Sequence, residues 1–152
     1  MKERISLRIQ EVAGTAGQGI DPKILQYKSK EIKSDVEQNI AVVLVIGGGN
    51  LFRVQELNQD GIDRVAVDHM GMLATVINSL ALQNSLEEMK VETRVQSALP
   101  ISAVCEPYIR RKAIRHLEKG RLLVFESGTG NPFMSTDTAA ALRAIEIKSD
   151  LL

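Results

Sequence analysis

The sequence predicts an α/β domain with a mainly parallel sheet, on three observations. Two apolar runs, at residues 40–46 and 122–125, show no alternation of polar and apolar residues, which is typical of strands buried on both faces of a parallel sheet. A glycine-bearing loop follows each run. Segments with apolar residues three and four positions apart, typical of amphipathic helices, lie between them. The 152 residues suit a single domain over residues 1–152.

Composition excludes several classes of protein. The 19 basic and 19 acidic residues cancel, so no overall field favours nucleic acid or an anionic membrane as a partner. A single Cys excludes an intramolecular disulfide, and there is no Cys/His cluster of the metal-binding type. The amino terminus lacks the apolar core of a secretory signal, and the longest apolar runs have about seven residues. We therefore expect a cytoplasmic protein without a membrane span.

The first elements are a strand and a helix. Residues 1–9 alternate apolar and polar side chains, which predicts an edge or first strand, and the glycines between Gln10 and Ile20 predict a loop. Asp21-Pro22 predicts a helix start, because Asp can cap free N–H groups and Pro is tolerated at the first helical position. Asn39 predicts the end of this helix, just before the first buried strand.

Three further helices are predicted before the second buried strand. Residues 51–58 predict a short helix, and residues 63–88 predict a long one with a wide apolar face. The residues of that face are Val67, Met70, Leu73, Ala74, Ile77, Leu80 and Ala81. After a strand at residues 91–97, Glu106-Pro107 predicts the start of a basic helix that Gly120 ends. We interpret its basic side as a solvated or subunit-contact face.

Gly47, Gly48 and Gly49 end the first buried strand. Glycines at this point allow close backbone approach, and the start of the next helix offers free N–H groups to an anion. Arg53, about one turn into that helix, adds a forked donor for phosphate oxygens. A tight strand-to-helix turn with a surface Arg is the alternative, but three glycines beside an Arg favour an anion site.

A second polar loop, from Ser127 to Asp137, follows the second buried strand. Its short side chains supply donors and acceptors, and Thr136 or Asp137 can cap the helix that follows. Ligands of open α/β sheets lie outside the carboxyl ends of the strands, so we expect the two loops to line one crevice. Asp68, near the start of the long helix, either binds ligand hydroxyls or is an acid favoured by the helix dipole, and both interpretations stay open.

Three motifs together resemble a known family. They are Ile46-Gly-Gly-Gly-Asn-Leu-Phe-Arg53, Asp68-His-Met-Gly-Met-Leu-Ala-Thr75, and Gly128-Thr-Gly-Asn-Pro-Phe133 with Thr136-Asp137. From about Gly19 to Leu152 the chain is similar to the bacterial-type uridylate (UMP) kinases of the amino acid kinase superfamily. The resemblance implies a three-layer αβα sandwich and transfer of a phosphoryl group from ATP to UMP, giving UDP, with Mg²⁺. It also implies a homohexamer regulated by GTP and UTP.

The resemblance also implies which residues form the site. Gly48 and Asp68 would contact UMP, with Asp68 at the ribose. Gly49 and Arg53 would lie where the two phosphate groups meet, and Arg53 would be catalytic. Asp137 would be a nearby acid that supports this catalytic group. The loop residues that would enclose the uridine and its phosphate are Thr129, Gly130, Asn131, Pro132, Phe133, Met134, Ser135 and Thr136.

Two departures from the family pattern affect the expected activity. Where the family's first strand leads into Lys-Leu-Ser-Gly-Glu, this chain has Leu7-Arg-Ile-Gln-Glu11, so Arg8 takes the place of a catalytic Lys. The family's ATP-binding half would lie beyond Leu152. We therefore expect the chain to match the UMP-binding part, to bind UMP weakly, and to turn over slowly, or not at all, on its own. Two alternatives stay open: a non-catalytic UMP-binding or subunit-interaction module, and a fragment of a longer kinase.

Overall fold

The computed structural model describes residues 4–9, 19–51 and 53–152. Its elements in chain order are β1 (Arg4–Ile9), α1 (Pro22–Glu37), β2 (Ala41–Ile46), α2 (Val54–Gln59), α3 (Arg64–Glu88), β3 (Thr93–Ser97), β4 (Glu106–Pro107), α4 (Arg110–Glu118), β5 (Leu122–Glu126) and α5 (Thr136–Glu146). Most of the loop predicted between Gln10 and Ile20 lies outside the described residues, as do Phe52 and the side chain of Arg8.

The described strands form one parallel sheet in the order β1-β2-β5-β3-β4. The two apolar runs, β2 and β5, are neighbours in this sheet, and Val45 pairs with Phe125 one residue before each strand ends. The loops that follow β2 and β5 therefore leave the carboxyl edge of the sheet side by side.

Helices cover both faces of the sheet. The core on the α1 and α3 side consists of Ile32, Val42, Leu44, Ile46, Leu82, Leu86, Val91, Val95, Leu122 and Val124. The core on the α4 and α5 side consists of Ala41, Val43, Val45, Ala113, Leu117, Leu123, Phe125, Ala139, Ala140 and Ile147. Alternate residues of β2 and β5 thus enter opposite cores, which explains why these strands are apolar without alternation. The arrangement is a three-layer αβα sandwich and confirms the predicted fold class.

The first helix has the predicted ends. Asp21 accepts hydrogen bonds from the N–H groups of Lys23 and Ile24, and Pro22 is the first residue of α1. Asn39 follows the helix with a φ of 66°. Asn tolerates this left-handed backbone better than most residues, so it ends the helix and turns the chain into β2.

Two predicted helix starts are wrong. Glu106-Pro107 forms the edge strand β4, paired with Gln96 and Ser97, and α4 begins at Arg110. Proline is compatible with an edge strand because its missing N–H costs no ladder bond on the open side. The short helix α2 begins at Val54. Its predicted first residue, Leu51, lies in a turn instead, where its N–H donates to the carbonyl of Gly48 at 3.1 Å.

The buried face of α3 differs from the predicted one. Leu73 and Ile77, predicted to be in the core, are 50% and 48% exposed, whereas the polar Thr75 and Asn78 are buried. The helix is apolar around most of its circumference, so apolar spacing alone does not identify the side that packs on the sheet. Within the described ranges, α3 is the one helix long and apolar enough to span a membrane. Its contacts with the sheet and α1 make it a core helix here.

Candidate functional site

A cavity of about 760 Å³ lies at the carboxyl edge of the sheet, between the first half of α3 and the loops after β2 and β5. This volume is within the usual range for a small-molecule site. The predicted residues that line it are Gly48, Gly49, Arg53, Asp68, Thr129, Asn131, Met134, Ser135 and Thr136. The lining residues that sequence reasoning did not assign are Asn58, Gln59, Arg64, Gly71, Met72, Thr75, Ser127 and Gly128.

The other predicted residues lie elsewhere. Gly130, Pro132 and Phe133 belong to the same loop but do not line the cavity. Asp137 is exposed in the first turn of α5, also outside the lining. The backbone of Arg8 lies in β1, paired with Val45 of β2, while its side chain is outside the described part of the chain.

Gly48 brings the end of β2 directly against α3. A Cβ atom at this position would lie 2.8 Å from the Cβ of Ala74 and 3.0 Å from the carbonyl oxygen of Gly71. Gly49 differs, because a Cβ there would meet no atom within 4 Å. Close packing therefore requires Gly48, whereas Gly49 leaves open space beside the cavity for a ligand.

A buried asparagine pair anchors the glycine loop. The amide of Asn78, in α3, donates to the carbonyl of Gly47 at 2.9 Å and is hydrogen-bonded to the side chain of Asn50. Asn50 also donates to the carbonyl of Gly19 at 3.1 Å. Both asparagine side chains are fully buried. The polar groups of the loop are thus bonded inside the protein, which orders the loop before any ligand arrives.

The loop after β5 is anchored to the same helix. The N–H of Ser127 donates to the hydroxyl of Thr75 at 2.7 Å, and that hydroxyl donates to the carbonyl of Met72 at 2.6 Å. The hydroxyls of Ser127 and Ser97 lie 3.1 Å apart, which adds a hydrogen bond to β3. The loop therefore starts from a point fixed by α3 and by the neighbouring strand.

Left-handed backbone shapes the rest of this loop. Gly130 has a φ of 80°, and a Cβ there would lie 3.2 Å from the carbonyl oxygen of Ala98. Phe133 has a φ of 65°, which is uncommon for a bulky side chain. The helix cap differs from the prediction: Ser135 caps α5, and its hydroxyl accepts the N–H of Thr138 at 3.1 Å. The predicted caps, Thr136 and Asp137, are the first two residues of the helix itself.

Asp68 connects α3 to this loop. Its Oδ1 accepts a hydrogen bond from Nε of Arg64 at 2.9 Å, and its Oδ2 accepts the N–H of Phe133 at 2.7 Å. Burial alone would raise the pKa of Asp68, but the Phe133 N–H and the Arg64 guanidinium outweigh it and hold the pKa below its ordinary value. The carboxyl group is therefore ionised at neutral pH and available as an acceptor.

Arg53 follows the glycine loop in the chain and lines the same cavity. It precedes α2, and its guanidinium lies 3.3 Å from the carboxylate of Glu56, with both side chains more than half exposed. An exposed pair of this kind contributes little to stability. The guanidinium is thus free to leave Glu56 for a phosphate group at low energetic cost.

Comparison with known proteins decides the family. Residues 13–152 match the amino acid kinase family. The chain belongs to this family. The UMP kinase of Bacillus anthracis has a TM-score of 0.93 and 40% sequence identity, over 98% of this chain and 63% of that chain. The UMP kinase of Ureaplasma parvum has a TM-score of 0.92 and 32% identity, over 99% and 65%.

A third structure, the uridylate kinase of Archaeoglobus fulgidus, has a TM-score of 0.67 and 27% identity, over 99% of this chain and 61% of that chain. The resemblance to UMP kinases predicted from the three motifs is therefore confirmed. This amino acid kinase chain spans less than two thirds of each of these structures.

The amino acid kinase chain also buries a carboxyl group next in sequence to Ser127, which lines the cavity. Glu126, the last residue of β5, is 1% exposed, and its Oε1 accepts a hydrogen bond from the thiol of Cys105 at 3.0 Å. Its Oε2 is buried and has no partner in the structure. Burial raises the pKa of Glu126, although the hydrogen bond from Cys105 acts in the opposite direction. Burial and the neighbouring carboxyl group raise the pKa of Cys105 to about 12, so its thiol stays protonated.

Replacing this carboxyl group should change how stability depends on pH. A raised folded-state pKa means that the contribution of Glu126 is fully present below the ordinary Glu pKa and is lost as pH rises through the folded-state pKa. Glu126→Gln should therefore stabilise the fold near neutral pH by about 1 kcal/mol, with the gain shrinking towards about pH 4. Urea unfolding across this pH range measures the effect. The exposed Glu118→Gln is the control, and parallel pH profiles for the two variants would contradict the prediction.

Proposed function

We propose that the cavity binds UMP, and that the protein works as a UMP kinase that transfers a phosphoryl group from ATP to UMP and releases UDP. One observation carries the proposal: the glycine loop, Arg53 and Asp68 line one cavity in a fold shared with UMP kinases. Phosphoryl transfer needs mainly in-line positioning and neutralisation of charge, and backbone N–H groups and cations supply both.

The lining residues suit the parts of a nucleoside monophosphate. The carboxylate of Asp68 can accept hydrogen bonds from ribose hydroxyls. Thr129 and Asn131 offer both donors and acceptors, which suits the edge of a uracil base. Arg53, beside Gly49, suits the phosphate groups. We assign the acceptor nucleotide to this cavity on that basis.

The proposal gives Mg²⁺ a place with the ATP phosphates. Among the residues whose placement is described, no group of three or more His, Cys, Asp or Glu side chains could hold a metal ion. Asp68, the one carboxylate among the described residues that line the cavity, is already bonded to Arg64. Mg²⁺ commonly binds through phosphates and water with few protein ligands, so we propose that it enters with the phosphates of ATP. It would neutralise phosphate charge there.

The proposal also includes two catalytic side chains and an assembly. Arg8, at the carboxyl half of β1, and Asp137, at the start of α5, are proposed to act near the transferred group. The exposed apolar side chains Leu73 and Ile77 of α3 support a homo-oligomer. By resemblance to the family we propose that it is a cytoplasmic hexamer regulated by GTP and UTP. Sedimentation velocity tests the assembly, and a monomer at micromolar concentration would exclude it.

UMP binding by the chain is tested first. Isothermal titration calorimetry should show one UMP site per chain. Asp68→Asn should weaken UMP binding about tenfold, because the amide has no negative charge and only one acceptor oxygen in place of two. Asp35→Asn, on α1 and outside the cavity, should leave the affinity unchanged. Wild-type protein that takes up no UMP at millimolar concentration would overturn the proposal.

Turnover is a separate part of the proposal, because the chain spans 63% and 65% of two of the UMP kinase structures. An ATP-dependent assay for UDP measures it. Arg8, which stands where the UMP kinases have a catalytic Lys, favours a second candidate function, a UMP-binding module without turnover. UMP binding with no UDP formed would support the second candidate, and UDP formed at a metabolic rate would support the first.

A further inference from the structure

Arg64 links the start of α3 to the loop after β5 in two ways. Its Nε donates to Oδ1 of Asp68 at 2.9 Å, and its guanidinium carbon lies 5.4 Å from the centre of the Phe133 ring. The N–H of Phe133 donates to the other oxygen of Asp68 at 2.7 Å. These three residues, here called the Arg64 clamp, close a ring of contacts between segments 65 residues apart in sequence.

Phe133 has a strained backbone conformation that these contacts stabilise. Its φ of 65° lies in the left-handed region, which costs a non-glycine residue roughly 1–2 kcal/mol. Its side chain is 67% exposed, so burial in the core does not hold it. The hydrogen bond to Asp68 and the cation–π contact with Arg64 connect it to the described part of α3.

The conformation of Phe133 decides where the next residues point. Met134, Ser135 and Thr136 follow it directly, and all three line the cavity. Ser135 also caps α5, so the segment is fixed at its far end. A change in the Phe133 backbone would therefore move one wall of the cavity while α5 stayed in place.

Arg64 also controls the direction of the Asp68 carboxylate. This side chain is 11% exposed and bears a full charge, so it needs a partner. An ionised carboxylate offers about four acceptor positions. Arg64 and Phe133 occupy one on each oxygen, which leaves one on each oxygen for a ligand that carries neighbouring hydroxyl groups.

We propose that Arg64 is a positioning residue of the nucleotide site. Through Asp68 and Phe133 it sets the orientation of the acceptor carboxylate and the course of residues 133–136 before a nucleotide enters. This inference rests on the proposed binding of UMP. It adds to it a residue outside the three motifs, together with a physical account of how that residue acts.

Arg64→Gln tests the inference, with Lys33→Gln as a matched control. Lys33 forms an exposed ion pair of the same helical spacing with Glu37 on α1, at 3.6 Å and far from the cavity in sequence. Calorimetry should show UMP binding about tenfold weaker in Arg64→Gln and unchanged in Lys33→Gln. Arg64→Lys keeps the charge but loses the planar fork, so it should fall between Arg64→Gln and the wild type.

A second measurement follows the clamp without any nucleotide. In the ¹⁵N-labelled protein, the Phe133 amide should be protected from hydrogen exchange by its bond to the carboxylate. Arg64→Gln should shift its resonance and speed its exchange at least about threefold, whereas Lys33→Gln should leave both unchanged. A merely structural role for Arg64 would lower the thermal stability without a selective change at this amide.

The outcomes separate the two proposals. No UMP binding by the wild type would overturn the proposed function and the role of Arg64 together. Wild-type binding with an Arg64→Gln affinity within twofold, or with an unchanged Phe133 amide, would overturn the role of Arg64 alone. If Arg64→Gln fails to fold, Arg64→Lys and Phe133→Leu replace it. Unchanged UMP affinity in both would overturn the inference, and weaker binding in both would support it.

Discussion

Asn78→Ala should lower the free energy of unfolding by about 3 kcal/mol and weaken UMP binding with it. The fully buried Asn78 side chain donates to the carbonyl of Gly47 and pairs with the amide of Asn50. Its loss would leave these two groups short of partners inside the protein, and each such group costs about 1–3 kcal/mol. The glycine loop would also lose its anchor on α3. Equilibrium urea unfolding measures the stability, and calorimetry measures the binding.

The same helix offers a matched control. Asn84 is exposed, and its amide bonds to Glu88 one turn further along α3, at 3.1 Å. Asn84→Ala should change stability by less than about 0.5 kcal/mol, because water replaces the lost partner. Equal losses in the two variants would show that the asparagine pair has no special role. Destabilisation of Asn78→Ala with unchanged UMP affinity would show that the glycine loop keeps its geometry without the pair.

Gly48→Ala should destabilise the fold by about 2 kcal/mol, or several degrees in melting temperature, although it adds only a methyl group. The new Cβ would lie 2.8 Å from the Cβ of Ala74 and 3.0 Å from the carbonyl oxygen of Gly71. Relief is possible only if the end of β2 moves away from α3. The same movement would shift the glycine loop, so UMP affinity should fall as well. Thermal unfolding and calorimetry measure the two effects.

Gly49→Ala isolates the effect of crowding on stability. The two glycines are adjacent, neither has a left-handed φ, and a Cβ at Gly49 would meet nothing within 4 Å. Alanine there should leave the melting temperature unchanged or raise it slightly, because it restricts the unfolded chain. If Gly48→Ala and Gly49→Ala had the same melting temperature, close packing at Gly48 could not be the reason for a glycine at that position.

Much of the fold follows from local sequence. The apolar runs of β2 and β5 identify the buried strands, and Asp21-Pro22 identifies the start of α1, because each signal comes from residues adjacent in the chain. The edge strand Glu106-Pro107 has only two residues, and its pairing with β3 does not show in the sequence. Proline is compatible with both a helix start and an edge strand, so the local signal favoured the wrong one.

The site shows the same limit. The glycine loops and Asp68 stand out in the sequence because their residue types suggest a ligand. Thr75 and Asn78 lie in the middle of a helix, where polar residues usually face water, and their partners lie 52 and 31 residues away. In the sequence Arg64 resembles any cation in the first turn of a helix, and only the structure shows its contact with Phe133. The roles of these residues, including Thr75 at the end of the second motif, could be found only from contacts between distant parts of the chain.

One helix anchors both loops of the cavity. Asn78 holds the loop after β2, and Thr75 and Asp68 hold the loop after β5. The entropy of ordering both loops is therefore lost when the chain folds, and a nucleotide that enters has little left to order. Association should then approach a rigid docking event, with affinity governed by how fast the nucleotide leaves and not by slow loop rearrangement before it binds.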